Sequence, residues 1–262
     1  MRKPNVALLT DFSSDSIYVG LMKATIAKIC PDANIIDLSH SIEPQNIKQA
    51  AFILANTVDY FPEGTIFCCV IDPNVGSERR AIAVKTDIFY FVCPDNGIIS
   101  YCLENHKPQI AIDLTDEKYH LKHKSKTFHG RDVFAPVTAH LANRIDIARL
   151  GNPIDFNGLA KIPKLFFNID GNGNIEGEIL FCDAFGNLIT SIHKSQLGSN
   201  SYKILLGNIL IEGISMTYSD VPDNSFVAYI GSMDYLEIGI RNANAKKYFG
   251  EELPQRIRLT RA

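Results

Sequence analysis

The sequence predicts an α/β protein in two parts. Residues 1–160 form an N-terminal domain with a mainly parallel sheet and helices on both faces, and residues 161–262 a smaller C-terminal β-barrel-like domain. Three observations carry this expectation. Short apolar runs alternate with amphipathic stretches of helical length up to residue 150. Polar residues cluster at the exits of those runs, where open α/β sheets place ligands. Beyond residue 163 the runs are short, strand-like and separated by turn formers.

The elements follow in order. Residues 6–10 form an apolar strand, and 11–16 (DFSSDS) a polar connection rich in helix caps. Residues 17–29 repeat apolar side chains at helical spacing and stop before Pro31. A strand at 35–38, a loop at 39–44 and a helix over 46–60 make a second unit. The central strand lies within IFCCVIDPNVGSERR at 66–80, whose apolar run 66–71 is bounded by turn formers. It leaves through Asp72-Pro73-Asn74, where Pro73 removes a backbone donor and Asn74 and Gly76 tolerate turns, and it reaches Arg79 and Arg80 a few residues later.

Residues 81–85 and 89–93 read as two strands about a turn at 86–87, the second ending in Pro94-Asp95-Asn96-Gly97. Another strand spans 110–114. The basic stretch HLKHKSK at 120–126 reads as a solvated loop, since it is short and lacks interleaved aromatics. Thr127 to Asp132 then leads into a helix over 133–143, with Asp132 suited to its positive end. The loop-like stretch 150–163 holds the domain boundary. Strands are expected at 175–181, 188–192, 203–206, 209–213, 227–230 and 236–240, with a closing helix over 243–249.

Composition narrows the function classes. The chain is 46% hydrophobic and 21% charged, the balance of an ordinary soluble globular protein. Lys and Arg number 26 against 29 Asp and Glu, which gives no support for nucleic-acid binding. No apolar run reaches the roughly 18 residues of a membrane span, and the first is too short for a secretory signal. The expectation is a cytoplasmic protein without nucleic-acid or membrane partners. Cys30, Cys68, Cys69, Cys93, Cys102 and Cys182 fall mostly inside apolar runs and read as buried small hydrophobes in a reducing compartment.

Residues able to do chemistry gather at the strand exits: Asp11 with Asp15, Ser39 with His40, Asp72 with Arg79 and Arg80, and Asp95 with Asn96. His129, Arg131 and Asp132 precede a helix. Parallel strand exits converge on one edge, so these groups can share a cleft. Each also has a plain structural reading as a turn, a cap, a packed histidine or a surface ion pair. A carboxylate such as Asp11 accepts hydrogens from a ribose diol, and an imidazole such as His129 changes proton state near neutral pH. Asp11, His40, Asp72 and His129 equally suit a divalent metal, which leaves a metal-dependent nucleotide or phosphoester hydrolase as the alternative.

The sequence has no H-x-x-x-H pair, no Gly-rich loop ending in Lys-Ser/Thr and no G-x-S-x-G elbow. In the second domain Asp183, Phe185 and Asn187 suit an ammonium, an aromatic ring and a purine edge, or simply close a hairpin. Gly231-Ser232 has the same two readings, and Asp234 reads as a turn residue.

An ordered set of motifs spans nearly the whole chain. It comprises Thr10-Asp11-Phe12 with Asp15, YVG at 18–20, MKATI at 22–26 and AAFILANTVDYFPEGTIF from Ala50. It continues with Asp72-Pro73, VGSERR at 75–80, PDNG at 94–97, FHGRDVFAP at 128–136 and FGNLITSI at 185–192. This set resembles the S-adenosylmethionine hydroxide adenosyltransferase family, which is related to bacterial fluorinase and chlorinase.

The resemblance implies hydrolysis of S-adenosyl-L-methionine to adenosine and L-methionine, with no cofactor or metal, by a homotrimer with active sites between subunits. The family's catalytic set falls on Asp72, Arg79 and His129. Halogenating relatives lack that set, so its presence implies hydroxide rather than halide. By the same resemblance Asp11 faces the ribose hydroxyls, Asp183 the methionine amino group, Asn187 the adenine and Ser232 the methionine carboxylate, with Phe128 also among the substrate-binding residues. The N-terminal domain then carries the catalytic set and the C-terminal domain completes the ligand site. Ser13 and Asn74 stand where the family's pattern has glycine, and 231–234 lacks its usual serine-glycine pattern. A halogenase and a non-catalytic S-adenosylmethionine or adenosine-binding module are the other readings.

Overall fold

Strand β1 (Asn5–Thr10) is buried from Val6 onward because both of its faces are covered: Val6 and Leu8 belong to one apolar cluster, Ala7 and Leu9 to another. The computed structural model describes residues 3–198 and 201–261. The chain divides into two compact units between Ile162 and Pro163.

In the first unit β1 is followed by α1 (Ile17–Ile29), β2 (Asn34–Ser39), α2 (Ile47–Ala55), β3 (Ile66–Val70), β4 (Ala81–Thr86) and β5 (Tyr90–Pro94). Then come α3 (Cys102–Asn105), β6 (Pro108–Asp113), α4 (Ala135–Ala142) and β7 (Asn152–Pro153). The sheet order is β2-β1-β3-β5-β4-β6-β7. Strands β2, β1, β3 and β5 are parallel, whereas β4, β6 and β7 pair antiparallel, so the sheet is mixed. The antiparallel part begins at the turn after β4, where Thr86 Oγ1 accepts from Phe89 N at 2.9 Å and folds the chain straight back. Helices cover both faces: α1 and α4 pack in one cluster, α2 and α3 in the other.

Two helix boundaries differ from expectation for local reasons. Helix α2 ends at Ala55 rather than running to residue 60, because Asn56 Nδ2 donates to the Phe52 carbonyl at 2.8 Å and Thr57 Oγ1 to that of Ile53 at 2.7 Å. A 3₁₀ turn, Val58–Tyr60, follows. Helix α4 is entered through one π-helical turn, Gly130–Phe134, a local widening often found at functional sites.

The second unit holds β8 (Phe167–Ile169), β9 (Ile175–Cys182), β10 (Leu188–His193), β11 (Tyr202–Leu206), β12 (Ile209–Glu212), β13 (Phe226–Ile230), β14 (Tyr235–Ile240), α5 (Ala245–Phe249) and β15 (Arg256–Arg261). Its antiparallel sheet has the order β12-β11-β15-β9-β10-β14-β13, with β8 paired to β9. Strands β12 and β13, the ends of that order, approach each other, so the sheet is a nearly closed barrel around Ile175, Leu188, Leu236, Ile238 and Leu259. Strands β8 and β15 are additional to those expected. In β15 Ile257 and Leu259 point inward between exposed Arg256 and Arg258. Among the described residues no helix is long and apolar enough to cross a membrane. All six cysteines are buried.

Candidate active site

Strand β3 delivers Asp72 to the carboxyl edge of the sheet. Asn96, at the exit of β5, donates from Nδ2 to the Ile71 carbonyl at 2.8 Å and so fixes the end of that strand. The chain then turns tightly: Val75 N donates to the Asp72 carbonyl at 3.2 Å, and Ser77 Oγ to that of Asn74 at 2.7 Å. This returns Arg79 over Asp72. Arg79 Nε lies 2.9 and 3.0 Å from the two Asp72 oxygens, and Nη2 also donates to Oδ2. With the side chains 9% and 5% exposed, this pair is sheltered from solvent, unlike a surface ion pair. The guanidinium sits 5.3 Å from the centroid of the buried Phe134 ring.

His129 arrives on a separate loop, just before the π-helical turn, and its Nδ1 is 2.9 Å from Arg79 Nη2. A guanidinium has only donors, so Nδ1 carries the lone pair and the ring proton lies on Nε2. Burial, and next the neighbouring Arg79 cation, hold the imidazole below its ordinary pKa, which keeps it neutral at pH 7. The two loops touch at Gly76. Its φ is +79°, and a Cβ there would overlap the Lys126 carbonyl oxygen.

Asp72 and His129 share a cavity of about 270 Å³ with Phe12, Tyr18, Val75 and Phe128. The Tyr18 and Phe128 rings pack edge to face with centroids 4.8 Å apart, and Phe12 and Phe128 at 5.8 Å. Phe12, Tyr18 and Val75 went unassigned in the sequence, although all three lie in motifs singled out there. A larger cavity, about 500 Å³, lies at the opposite ends of the parallel strands beside Asn5, Ile66 and Arg144, away from all these polar groups.

Asp11 leaves β1 next to Phe12, which lines the smaller cavity with Asp72 and His129. Its Oδ2 accepts from Gln45 N at 2.8 Å. Burial raises its pKa, backbone donors from Gln45 and Asp11 itself pull it back, and the charge of Asp72 adds to the rise. The two carboxylates therefore feel one another. Ser13, where the family pattern has glycine, adopts φ +66°. Its backbone N donates to the His40 carbonyl at 2.8 Å.

His40 holds this loop rather than joining the site. Its Nδ1 is 2.9 Å from Thr10 Oγ1, and its Nε2 is 3.0 Å from Asp37 Oδ1, close enough for attraction though outside hydrogen-bond geometry. The metal set of Asp11, His40, Asp72 and His129 does not assemble. Among the described residues no three His, Cys, Asp or Glu side chains converge as metal ligands.

The other clusters are scaffold. Arg80 Nε donates to Asp95 Oδ2 at 2.9 Å and Nη2 also reaches the Gly158 carbonyl, while Asp95 Oδ1 accepts from Ala160 N at 2.8 Å. Asp132 is fully buried and accepts from Ser125 N at 2.7 Å and Arg131 Nε at 2.6 Å, so it ties down the preceding loop rather than serving a free helix end. Asp15 is exposed.

In the second unit Asp183 and Asn187 face one another across the β9–β10 connection. Asp183 Oδ1 accepts from Phe185 N at 2.9 Å and Asn187 N at 2.8 Å, and Oδ2 from Asn187 Nδ2 at 2.8 Å. The hairpin explanation thus accounts for these bonds, yet it leaves a lone pair on Asp183 and the Asn187 Oδ1 acceptor for a ligand. Phe185 is 80% exposed, an aromatic face presented to solvent beside them. Ser232 is exposed in the β13–β14 turn, where Asp234 adopts φ +65° and pairs with Lys194 at 2.8 Å. Tyr218, which lies with Asn187 beside Gly239 and leads by hydroxyl bonds to Tyr229 and Glu237, was not singled out in the sequence, nor were those two. An acidic residue at 237 inside an apolar run was the available signal.

An acid, a guanidinium and an imidazole gathered at the carboxyl edge of an α/β sheet, with a β-barrel-like second unit, define the class of protein. The chain belongs to the SAM hydroxide adenosyltransferase family: its N-terminal domain matches residues 6–151 and its C-terminal domain residues 177–258. An (R)-S-adenosyl-L-methionine hydrolase of Thermus thermophilus is 33% identical over 96% of this chain and 98% of its own. One from Methanocaldococcus jannaschii is 33% identical over 97% of this chain and 95% of its own. The crystal structure of an uncharacterized conserved protein from Thermotoga maritima superposes with a TM-score of 0.88 at 29% identity, covering 98% of this chain and 100% of that one.

Proposed function

We propose that this chain hydrolyses S-adenosyl-L-methionine to adenosine and L-methionine by in-line attack of water or hydroxide on ribose C5′, releasing one proton. The observation that carries this reading is the guanidinium of Arg79 shared between Asp72 and His129 at one aromatic-walled cavity. Family membership and the hydrolase names of the two relatives support it.

A sulfonium is already a good leaving group, so the site need not protonate sulfur. Its task is to hold a desolvated oxygen nucleophile behind C5′. Asp72 fixes Arg79, Arg79 lowers the cost of hydroxide character, and neutral His129 donates from Nε2 to the attacking oxygen. Asp11 takes the ribose hydroxyls, Phe128 flanks the substrate, and Asp183, Asn187 and Ser232 take the ammonium, adenine and carboxylate. No metal or cofactor enters this reaction.

The acting form is a homotrimer with active sites between subunits, in the cytoplasm. The buried cysteines suit a reducing compartment.

Incubation with S-adenosyl-L-methionine in oxygen-18 water, followed by mass analysis, tests the reaction. Label in the 5′-hydroxyl of adenosine is expected, and unlabelled adenosine overturns attack at C5′. A 5′-halo nucleoside formed with added chloride or fluoride would point to a halogenase, and activity abolished by chelator to a metal-dependent hydrolase. Tight ligand retention without adenosine would leave a binding module.

A further inference from the structure

On β14 Leu236, Ile238 and Ile240 enter the barrel core, so strand alternation sends Glu237 and Gly239 to the opposite face. Glu237 is nevertheless buried, with 7% exposure. Two tyrosines surround its carboxylate. Tyr229, its direct cross-strand partner on β13, donates from its hydroxyl to Glu237 Oε2 at 2.6 Å. The Tyr218 hydroxyl donates in turn to that of Tyr229, with the two ring centroids 4.5 Å apart.

Two glycines make room for this chain of bonds. A Cβ at Gly231, which opens the β13–β14 turn, would fall on the Glu237 carboxylate. A Cβ at Gly239 would press on both Asn187 Oδ1 and the Tyr218 ring. The bonded chain thus runs from the carboxylate beneath the turn that carries Ser232 to the Tyr218 ring, which lies with Asn187 Oδ1 beside Gly239 at the loop that carries Asp183 and Asn187.

We propose that Glu237 is a positioning residue: through Tyr229 and Tyr218 it steadies Asn187, and from beneath Gly231 it steadies the Ser232 turn, so that both loops present their ligand atoms in one geometry. The proposal rests on the hydrolase reading above, since it concerns how that substrate is held rather than how it reacts. It contributes to binding before the chemical step, and its loss shows in KM rather than kcat.

Steady-state kinetics of the full chain with S-adenosyl-L-methionine test it, using Glu237→Gln, Glu237→Ala, Tyr229→Phe and the Glu237→Ala/Tyr229→Phe double variant. Glutamine keeps an oxygen acceptor for Tyr229, so Glu237→Gln is expected within about threefold of the parent KM. Glu237→Ala and Tyr229→Phe each raise KM about tenfold with kcat changed less than about threefold, and the double variant is no worse than either alone. Tyr229→Phe keeps the ring and its packing, so it reads the hydroxyl link even where Glu237→Ala does not fold.

An unchanged KM in Tyr229→Phe, a loss confined to kcat, or additive effects in the double variant overturns the proposal. A parent protein that forms no adenosine overturns the hydrolase reading instead. Calorimetric binding of adenosine and S-adenosyl-L-methionine to the same variants then decides the positioning role: affinity about tenfold weaker in Tyr229→Phe supports it. Equal affinity, or no binding by any form, removes it.

Discussion

Nη2 of Arg79 lies 2.9 Å from Nδ1 of His129, so the imidazole turns its lone pair toward the cation and keeps its hydrogen on Nε2. In this tautomer His129 donates and does not abstract. The proton state of one ring thus determines whether the proposed site can hold an attacking oxygen.

Acid should switch the site off. Burial and then Arg79 hold His129 below its ordinary value of about 6.5, so activity is expected to be flat at neutral pH and to fall only below that value. The same shift acts on stability with a defined sign. Between the lowered and the ordinary value the unfolded chain binds the extra proton, so the contribution of His129 is complete above about 6.5 and is lost as pH falls through its native value. A pH profile of adenosine release checks the first statement, and an acid limb centred at or above the ordinary histidine value would contradict it.

Arg79→Lys keeps the charge but not the fork. An ammonium cannot serve both Asp72 oxygens and His129 in the observed geometry, so turnover should drop by about 10²-fold or more while circular dichroism is unchanged. Turnover within a fewfold of the parent would remove Arg79 from its proposed role.

Gly76→Ala reaches the same site from outside it. The added methyl meets the Lys126 carbonyl and must push apart the loops that carry Arg79 and His129. Displacement on the order of 1 Å is expected to cost about 10²-fold in kcat. Kinetics equal to the parent would show that the loops adjust without moving the pair.

Ser13→Gly should stabilise. A non-glycine residue in the left-handed region carries a penalty of roughly 1–2 kcal/mol, against roughly 0.5–1 kcal/mol of extra chain entropy for glycine. A melting temperature raised by a few degrees is expected, with Ser13→Val lowered because a β-branched residue tolerates positive φ poorly. A lower melting temperature for Ser13→Gly would contradict the strain argument.

Much of this arrangement was legible in the sequence because it is local. Asp72 and Arg79 are seven residues apart on one turn, and a strand exit followed by Pro, Asn and Gly already implies that the chain doubles back. The alternating units of the first part gave both helix-covered faces. The mixed character of the sheet was less visible, since nothing in the apolar run of β6 tells which neighbour it pairs with. Strand β15 was missed because arginine at alternate positions masks its two inward side chains.

What the sequence could not supply was partnership across long separations. His40 looked like a possible ligand until Thr10 and Asp37 claimed its ring, and Arg80 looked like a second site cation until Asp95 and Gly158 claimed it. Asp183 and Asn187 satisfy one another first, which no spacing rule separates from ligand binding. Glu237 was hidden for the opposite reason: its burial depends on tyrosines from other segments.

The sheltered sulfur atoms have a practical consequence. Burial pushes the Cys68 thiol up to about 12 and those of Cys69, Cys93 and Cys102 up as well, so these four thiols are poor nucleophiles for alkylating reagents. A cysteine introduced at an exposed position such as Ser232 would stand out against that quiet background. A single fluorophore placed there would test whether S-adenosyl-L-methionine reaches this turn, without first stripping the protein of its own sulfhydryls.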